Sequence, residues 1–273
     1  MTDPLSMIAL GAAVGGAAGK FAEKAWDSGE KWITSYFANH HAKSQEKAKE
    51  NTLSFLTDLA SRVESLEKSK TISPEQISSS QEHPDFSVVL QKAIISASQT
   101  ESKEKHKLLS RLVAERMKAA PESLMALASK MACDAISFTT SNQLKILGLT
   151  MNALYIGPNQ ILSEEQYFGW LEARLGPFSD VLPSNLDYAH LEALSCLKFE
   201  RFLTRDLQEI LTRKNNGKMN YDNFKQHTLG KSLINIWENN GLKSAQLTSI
   251  GQMIGVMVSD EVTRLITNMS GWE

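Results

Sequence analysis

The chain has 273 residues, of which 42% are hydrophobic and 22% are charged, and its formal net charge is −2. This balance predicts a globular protein with more than one core, and it argues against a protein that binds polyanions over its whole surface. Cys133 and Cys196 lie far apart in apolar, helix-like stretches, which predicts a reducing cytoplasm rather than a disulfide framework. The six histidines show no metal-ligand spacing, so we predict neither a metal site nor a cofactor.

The amino-terminal run LSMIALGAAVGGAAGKF contains Gly11, Gly15 and Gly19 at positions i, i+4 and i+8. A helix with this spacing presents a smooth face that another helix backbone can approach closely. The run is not a phosphate-binding loop, because its Gly-Lys pair precedes Phe, and it is not a secretory signal, because no basic residue precedes it. Three interpretations stay open: close helix packing within the chain or with a second copy, membrane association of residues 5–19, and a flexible tail.

The segment after this run has helical periodicity. Residues 5–68 predict a helical hairpin or coiled-coil arm, because the second helix carries a single apolar stripe that needs a partner. We therefore assign residues 1–70 to an amino-terminal arm. Residues 71–85 are rich in Ser and Pro and are predicted to be a linker, in which Ser73 opens a capping box.

Residues 86–183 predict a bundle of short-connected helices. Thr140 and Ser163 each begin a capping box and so mark helix starts. The apolar periodicity of the bundle assigns large side chains to its core, among them Leu124, Leu127 and Met131.

Residues 184–273 form a predicted helical carboxy-terminal subdomain. Its turn signal, Asn216-Gly217, is expected to join two short strands, like the wing of a winged helix. One long or two shorter helices are expected at 187–211, and further helices at 227–239 and 248–268. The predicted fold is therefore all-α, with an amino-terminal helical hairpin or coiled-coil arm and a helical bundle that has a small winged-helix-like carboxy-terminal part.

One string in the sequence matches the motif of metal-dependent nucleases. Pro84-Asp85 followed by Glu101-Ser-Lys103 spells PD…ExK, whose acids must converge on a divalent cation. The helical pattern instead places Asp85 and Glu101 at the starts of consecutive helices, which favours capping. A metal-dependent nuclease is kept as the alternative function.

Two further matches are weaker. His190-x-Glu192 with Cys196 nearby is half of a zinc-deaminase signature, and the second half, P-C-x-x-C, is missing. The pair His40-His41 would bind a metal only with distant partners. We predict structural roles for these residues.

The segment 198–231 is locally basic, with eight cationic and four acidic side chains. Arg213, Lys214 and Lys218 are the candidate nucleic-acid contact, because aromatic residues lie among these cations. The alternative is a solvated helix and loop.

Several stretches of the body resemble a known group of sequences. These stretches are AIISASQTESKEKHKLLSRLVAERM, LASKMACDAISFTTSNQLKILGLTMNALY, LDYAHLEALSCL and LTSIGQMIGVMVSDE, and the last contains the element Leu247-Thr248-Ser249-Ile250-Gly251. The pattern, which covers roughly residues 86–269, resembles the abortive-infection-alpha proteins and related bacterial helical families. The resemblance implies a cytoplasmic bacterial protein that acts in phage defence, and it supplies no catalytic residues.

These observations together predict a non-enzymatic interaction or effector protein. Its expected partner is a second copy of the chain or another protein, bound through the amino-terminal glycine-rich helix. A membrane contact through residues 5–19 and a nucleic-acid contact are the other partners considered.

Overall fold

A computed structural model describes residues 15–267 except 201 and 203, and the chain divides into two compact units at residues 137 and 138. Helices account for most of the described residues, and the strands found there are one pair of three residues each. The predicted all-α fold is therefore confirmed.

Unit 1 is built from six helices in its described part. The first two form the predicted amino-terminal hairpin, and the hairpin packs against the three helices that follow it in the same unit. The helices are α1 Gly16–Tyr36, α2 Ala42–Lys68, α3 Pro74–Glu82, α4 Pro84–Ser98, α5 Lys103–Lys118 and α6 Leu124–Phe138.

The core of unit 1 fixes the direction of α4 relative to α1. The rings of Phe21 and Phe86 meet edge to face with centroids 6.2 Å apart. Two turns later, a Cβ added at Gly29 would lie 3.1 Å from Ile94 Cδ1. Both contacts have the same sequence offset, so α1 and α4 run parallel.

The segment 71–85 is not the linker that its composition predicts. It contains α3, which begins with the predicted capping box, since Ser73 Oγ accepts a hydrogen bond from Gln76 N and Gln76 Oε1 accepts one from Ser73 N. Ile77 on this helix is 1% exposed. One apolar anchor is enough to hold the helix against unit 1 despite its many serines.

Unit 2 contains the remaining seven described helices and the strand pair. Thr140 and Ser163 make the predicted capping boxes. The elements are α7 Ser141–Leu154, α8 Glu164–Leu175, α9 Asn185–Ala193, β1 Leu197–Phe199, α10 Leu207–Lys214, α11 Tyr221–Gln226, α12 Thr228–Glu238, β2 Ala245–Leu247 and α13 Ser249–Thr263, with single 3₁₀ turns at Gly176–Phe178 and Leu242–Ser244.

The strands of the carboxy-terminal part are not where the turn signal predicts them, so the predicted wing is not found at Asn216-Gly217. Asn216 and Gly217 have φ values of 51° and 82° and close a turn between helices α10 and α11. The sheet is formed instead by β1 and β2, antiparallel, with Leu197 opposite Leu247. The segment 187–211, predicted as one long or two shorter helices, contains α9 and the start of α10 with β1 between them, because residues 197–199 pair with a strand that lies far along the chain.

Helix α13 lies very close to the backbone of α7 and of the residue before β1 in unit 2. A Cβ added at Gly255 would lie 2.8 Å from Leu147 O, and one added at Gly251 would lie 1.7 Å from Cys196 O. Both distances are too short for a side chain. Glycine is therefore required at these positions of α13 by the closeness of the neighbouring backbone.

Candidate functional site

The glycine-rich start was the sequence's main candidate site, and the described residues include part of it. Gly11 lies outside them. Gly15 is the N-cap of α1, with φ 67° and ψ 179°, and the helix proper begins at Gly16. Gly19 is buried inside unit 1. The contact role predicted for Gly11, Gly15 and Gly19 stays a prediction.

The first turn of α1 is capped by a side chain from another helix. Glu67, near the end of α2, accepts hydrogen bonds from Ala17 N at 3.3 Å and Ala18 N at 3.1 Å. The N-cap Gly15 offers no side chain, and the first turn of α1 contains no acidic residue. The Glu67 carboxylate therefore satisfies free backbone N–H groups and opposes the positive end of the helix dipole.

Helix α6 is packed with its small residues inward and its large residues outward. Leu124, Leu127 and Met131 are 59%, 46% and 51% exposed. These three side chains recur at i, i+3 and i+7, so they form one stripe, which we call the α6 outer face. The inward face is made mostly of small residues: Ala126, Ala128, Ser129, Ala132, Cys133, Ala135 and Ile136.

This arrangement corrects the assignment of Leu124, Leu127 and Met131 to the core. The periodicity correctly predicts an amphipathic helix, but its inward face is the one lined by alanine. Burying three large apolar side chains would stabilise the fold by about 1.5–3 kcal/mol each. A stripe left outward in this way is typical of an interaction surface.

Helix α6 lies beside α4 and runs parallel to it. Lys92 on α4 pairs with Asp134 on α6, and one turn later Ser96 hydrogen-bonds to Ser137. Val88 lies one turn before Lys92 and is 43% exposed. By this register Val88 extends the apolar surface from the α6 outer face onto α4.

A groove of about 320 Å³ lies at the amino-terminal end of α4, between α3 and the connection from α5 to α6. Arg116 in its wall is 3% exposed, pairs with Asp85 and donates to Ala119 O at 2.8 Å. Burial opposes ionisation of Asp85, but the hydrogen bond and charge of Arg116 prevail and lower the pKa of this carboxyl. The Asp85 carboxyl is therefore paired with the arginine in the wall of the groove.

The PD…ExK acids do not converge. Asp85 stands at the first turn of α4 and Glu101 lies beyond its last turn, where it pairs with Lys47. The 15-residue helix between them is about 22 Å long. A single metal ion cannot bridge that separation.

Lys214 is not available to a phosphate. Lys214 is half-buried, and its ammonium group donates to Asn152 O at 2.7 Å and Ile156 O at 2.6 Å, so it caps the end of α7. Desolvation, with a contribution from the charge of Arg213, lowers the pKa of Lys214 to about 7. Of the predicted nucleic-acid contact, Arg213 and Lys218 remain exposed.

Other cations of this segment also have partners within the protein. Arg205 donates to Ala245 O and Gln246 Oε1, and Lys225 pairs with Asp222. The basic segment therefore presents less positive charge to solvent than its composition suggests.

The half-signature around His190 has structural partners. His190 Nδ1 lies 3.0 Å from Gln143 Oε1, and Glu192 Oε1 accepts a hydrogen bond from Phe199 N.

Burial raises the pKa of both Cys133 and Cys196 to about 12, which keeps these thiols protonated and unreactive. Within residues 15–267, apart from 201 and 203, no group of three or more His, Cys, Asp or Glu residues is placed to hold a metal ion.

Two features of unit 2 are not in the sequence analysis. Gly251, Gly255 and Ser259 repeat at i, i+4 and i+8 on α13, which is the same small-residue signal that the amino-terminal run carries. Arg174 lies in the interior, 3.9 Å from Asp260. The glycine spacing could have been found by scanning the whole chain, whereas a buried ion pair leaves no local signal.

None of the described helices combines the length and the apolar character needed to cross a bilayer.

A protein-family model matches residues 19–227, which is more than half of the chain. The chain belongs to this family. Its function is unknown, so membership assigns no activity. Searches of curated proteins and of solved structures found no match. The matched span begins after Gly15 and includes the whole of α6.

Proposed function

We propose that the protein is a non-enzymatic interaction protein that self-associates through its amino-terminal segment, residues 5–19, and the α6 outer face. We further propose that it works in the bacterial cytoplasm as an effector of anti-phage defence. The resemblance of residues 86–269 to the abortive-infection-alpha group supports this second part.

The orientation of α6 is the observation that carries the proposal. Leu124, Leu127 and Met131 face outward although Ala and Ser fill the inward side of the same helix. Folding of one chain would favour the opposite orientation, because large apolar side chains gain most from burial. A binding partner that covers the stripe explains why the helix keeps this orientation.

The other candidate functions have less support in the geometry. Asp85 and Glu101 lie at opposite ends of α4, so the two acids that suggested a nuclease cannot bind the same metal ion. In the candidate nucleic-acid contact, the ammonium group of Lys214 is already hydrogen-bonded to backbone oxygens at the end of α7. An apolar surface therefore has better support than either a metal centre or a phosphate-binding surface.

Mass measurement in solution over a range of concentrations tests the proposal. We expect wild type to form a concentration-dependent oligomer, and we expect removal of residues 1–14, or the double change Leu127→Lys with Met131→Lys, to leave a monomer. Leu186→Lys is the matched control, because Leu186 is a 78% exposed leucine of unit 2 and its replacement should not change the oligomer.

Three results would count against self-association by this route. They are a wild-type chain that stays monomeric at every concentration, a double-lysine variant that associates like wild type, and flotation of wild type with liposomes that is lost on removal of residues 1–14. The last result would favour the membrane contact instead.

A further inference from the structure

We infer that the groove at the amino-terminal end of α4 binds a small phosphorylated polyol, whose phosphate group lies between His83, Arg116 and Lys118. We call this cavity the α4 groove. Its walls are α3, the turn from α3 into α4, and the end of α5 with the connection that follows it. The residues that line it are separate from the α6 outer face, so the inference goes beyond the proposed function and can be tested independently of it.

The first observation is the bonding of Arg116, a buried residue in the wall of the groove. Its guanidinium group donates to Ala119 O at 2.8 Å and pairs with Asp85. The third nitrogen, Nε, is buried and has no hydrogen-bond partner among the described residues. A buried donor without a partner destabilises the folded state, and an acceptor oxygen that enters the groove would remove this cost.

The second observation is the sign of the charges. In the described part of the chain, the charged side chains that line the groove are all basic: Arg116, Lys118 and, when it is protonated, His83. Glu115 pairs with Lys118 but does not line the groove, and the same holds for Asp85. The Lys118–Glu115 pair spans one turn of α5 near the surface, so it contributes little stability and Lys118 can turn to a ligand. A negative group is therefore favoured in the groove.

The α3 wall offers acceptors to the rest of the ligand. Ser79 Oγ and Ser80 Oγ both donate to Gln76 O, at 3.2 Å and 2.7 Å. A hydroxyl group has one proton to donate and two lone pairs, so these two oxygens are left to accept hydrogen bonds. Hydroxyl groups of a ligand can donate such bonds, which is why we assign a polyol to this wall.

The volume of the groove limits the size of the ligand. About 320 Å³ lies at the lower end of the range for small-molecule sites and corresponds to about ten water molecules. This is room for a phosphate group and a chain of a few carbon atoms. Phe86 and Met117 are buried lining residues against which these carbon atoms can pack.

Titration calorimetry of the full chain with glycerol phosphate, inorganic phosphate and glycerol tests the inference. We expect glycerol phosphate to bind about tenfold more tightly than inorganic phosphate, because its hydroxyl groups add hydrogen bonds to Ser79 and Ser80. Glycerol alone should not bind measurably. Absence of glycerol phosphate binding would overturn the inference, and equal affinity for both phosphates would overturn the assignment of a polyol.

A pair of exposed substitutions tests the location. His83→Gln with Lys118→Gln removes two basic groups at side chains that are 54% and 32% exposed, and we expect glycerol phosphate to bind at least about tenfold more weakly. His227→Gln with Lys145→Gln is the matched control in unit 2, since these side chains are 48% and 33% exposed and are also paired with acids. Equal weakening by both pairs would reveal a general charge effect and overturn the site.

Two further measurements address the cavity itself. Ala120→Trp fills the groove from an exposed position without changing its charge, so binding should be lost while the folded chain keeps its unfolding temperature and its oligomeric state. Wild-type affinity in this variant would overturn the inference and leave the proposed function standing. The nitrogen–proton signal of Arg116 Nε should shift on addition of glycerol phosphate, and a signal that stays unchanged at saturation would overturn the placement of the phosphate group.

Discussion

The chain contains two runs of small residues with the same spacing, and they use glycine for different reasons. In α13, Gly251 and Gly255 are needed because the neighbouring backbone is too close for a Cβ atom. At the start of α1, Gly15 has open space around it and is needed because its φ is positive. Glycine is therefore required by packing at Gly251 and Gly255 and by backbone conformation at Gly15.

The comparison matters for the function because the first run was expected to act by packing. A packing role for Gly15 would require a neighbouring helix at its Cα, and within the described residues nothing lies within 4 Å of an added Cβ. A close backbone contact of the kind that the spacing predicts is present at Gly255 in unit 2. A third glycine, Gly169, separates the two explanations, because it lies within α8, in open space and with an ordinary helical φ.

The largest expected effect is that of Gly251→Ala. The new Cβ would lie 1.7 Å from Cys196 O, a backbone atom that moves only if β1 moves with it. We expect unit 2 to lose about 3 kcal/mol or more of unfolding free energy. Hydrogen exchange of the α7 and α13 amides measures this loss separately from unit 1.

Gly169→Ala is the control for this change, since it adds the same methyl group to a helix with nothing within 4 Å. We expect it to stabilise α8 by up to about 1 kcal/mol through helix propensity. A Gly251→Ala protein as stable as Gly169→Ala would mean that α13 does not need glycine for the close contact with β1.

An intermediate effect is expected for Gly15→Ala. The combination of φ 67° and ψ 179° is accessible almost only to glycine, so alanine should cost about 1–2 kcal/mol at the start of α1. The spacing alone predicts the opposite sign, because within a helix alanine is favoured over glycine. Hydrogen exchange of the Ala18 and Gly19 amides measures the local cost.

The contrast with Gly169→Ala again decides the interpretation. Both positions have open space, so a difference in sign between them must come from the backbone conformation. Equal stabilisation by both changes would show that α1 begins before Gly15 and that the positive φ is not maintained in solution.

Periodicity and capping signals predict most of the helices, because these signals are local. The capping boxes at Ser73, Thr140 and Ser163 are confirmed, and the hairpin of α1 and α2 follows from a single apolar stripe that needs a partner. The features that the sequence does not reveal depend on residues far along the chain. Strand β1 exists because it pairs with β2, and Lys214 turns inward because carbonyl groups at the end of α7 accept its hydrogen bonds.

The candidate site is less predictable than the fold for the same reason. A helix such as α6, with alanine on one side and leucine on the other, has a clear amphipathic pattern, yet the pattern does not say which side faces inward. Only the position of α4 decides it, through Lys92–Asp134 and the Ser96–Ser137 hydrogen bond. Leu127 and Met131 were assigned to the core because large apolar residues usually are buried.

The smallest expected effect concerns Glu67, whose side chain caps the first turn of α1 because the N-cap residue Gly15 has no side chain to do so. Glu67→Gln keeps a carbonyl oxygen that can accept from Ala17 N or Ala18 N but removes the negative charge at the helix start. We expect a loss of about 0.5–1 kcal/mol in the stability of the first turn of α1, from the interaction with the helix dipole. Because this interaction is electrostatic, the difference from wild type should shrink in 1 M salt, where the Debye length is about 3 Å.

Glu64→Gln is the control, since Glu64 lies one turn earlier on α2 and pairs with Lys68. Hydrogen exchange at Ala18 and Gly19 should report the first change and not the second. If Glu67→Gln matched wild type while Glu67→Ala lost the same turn, the cap would act through its hydrogen bonds and not through its charge.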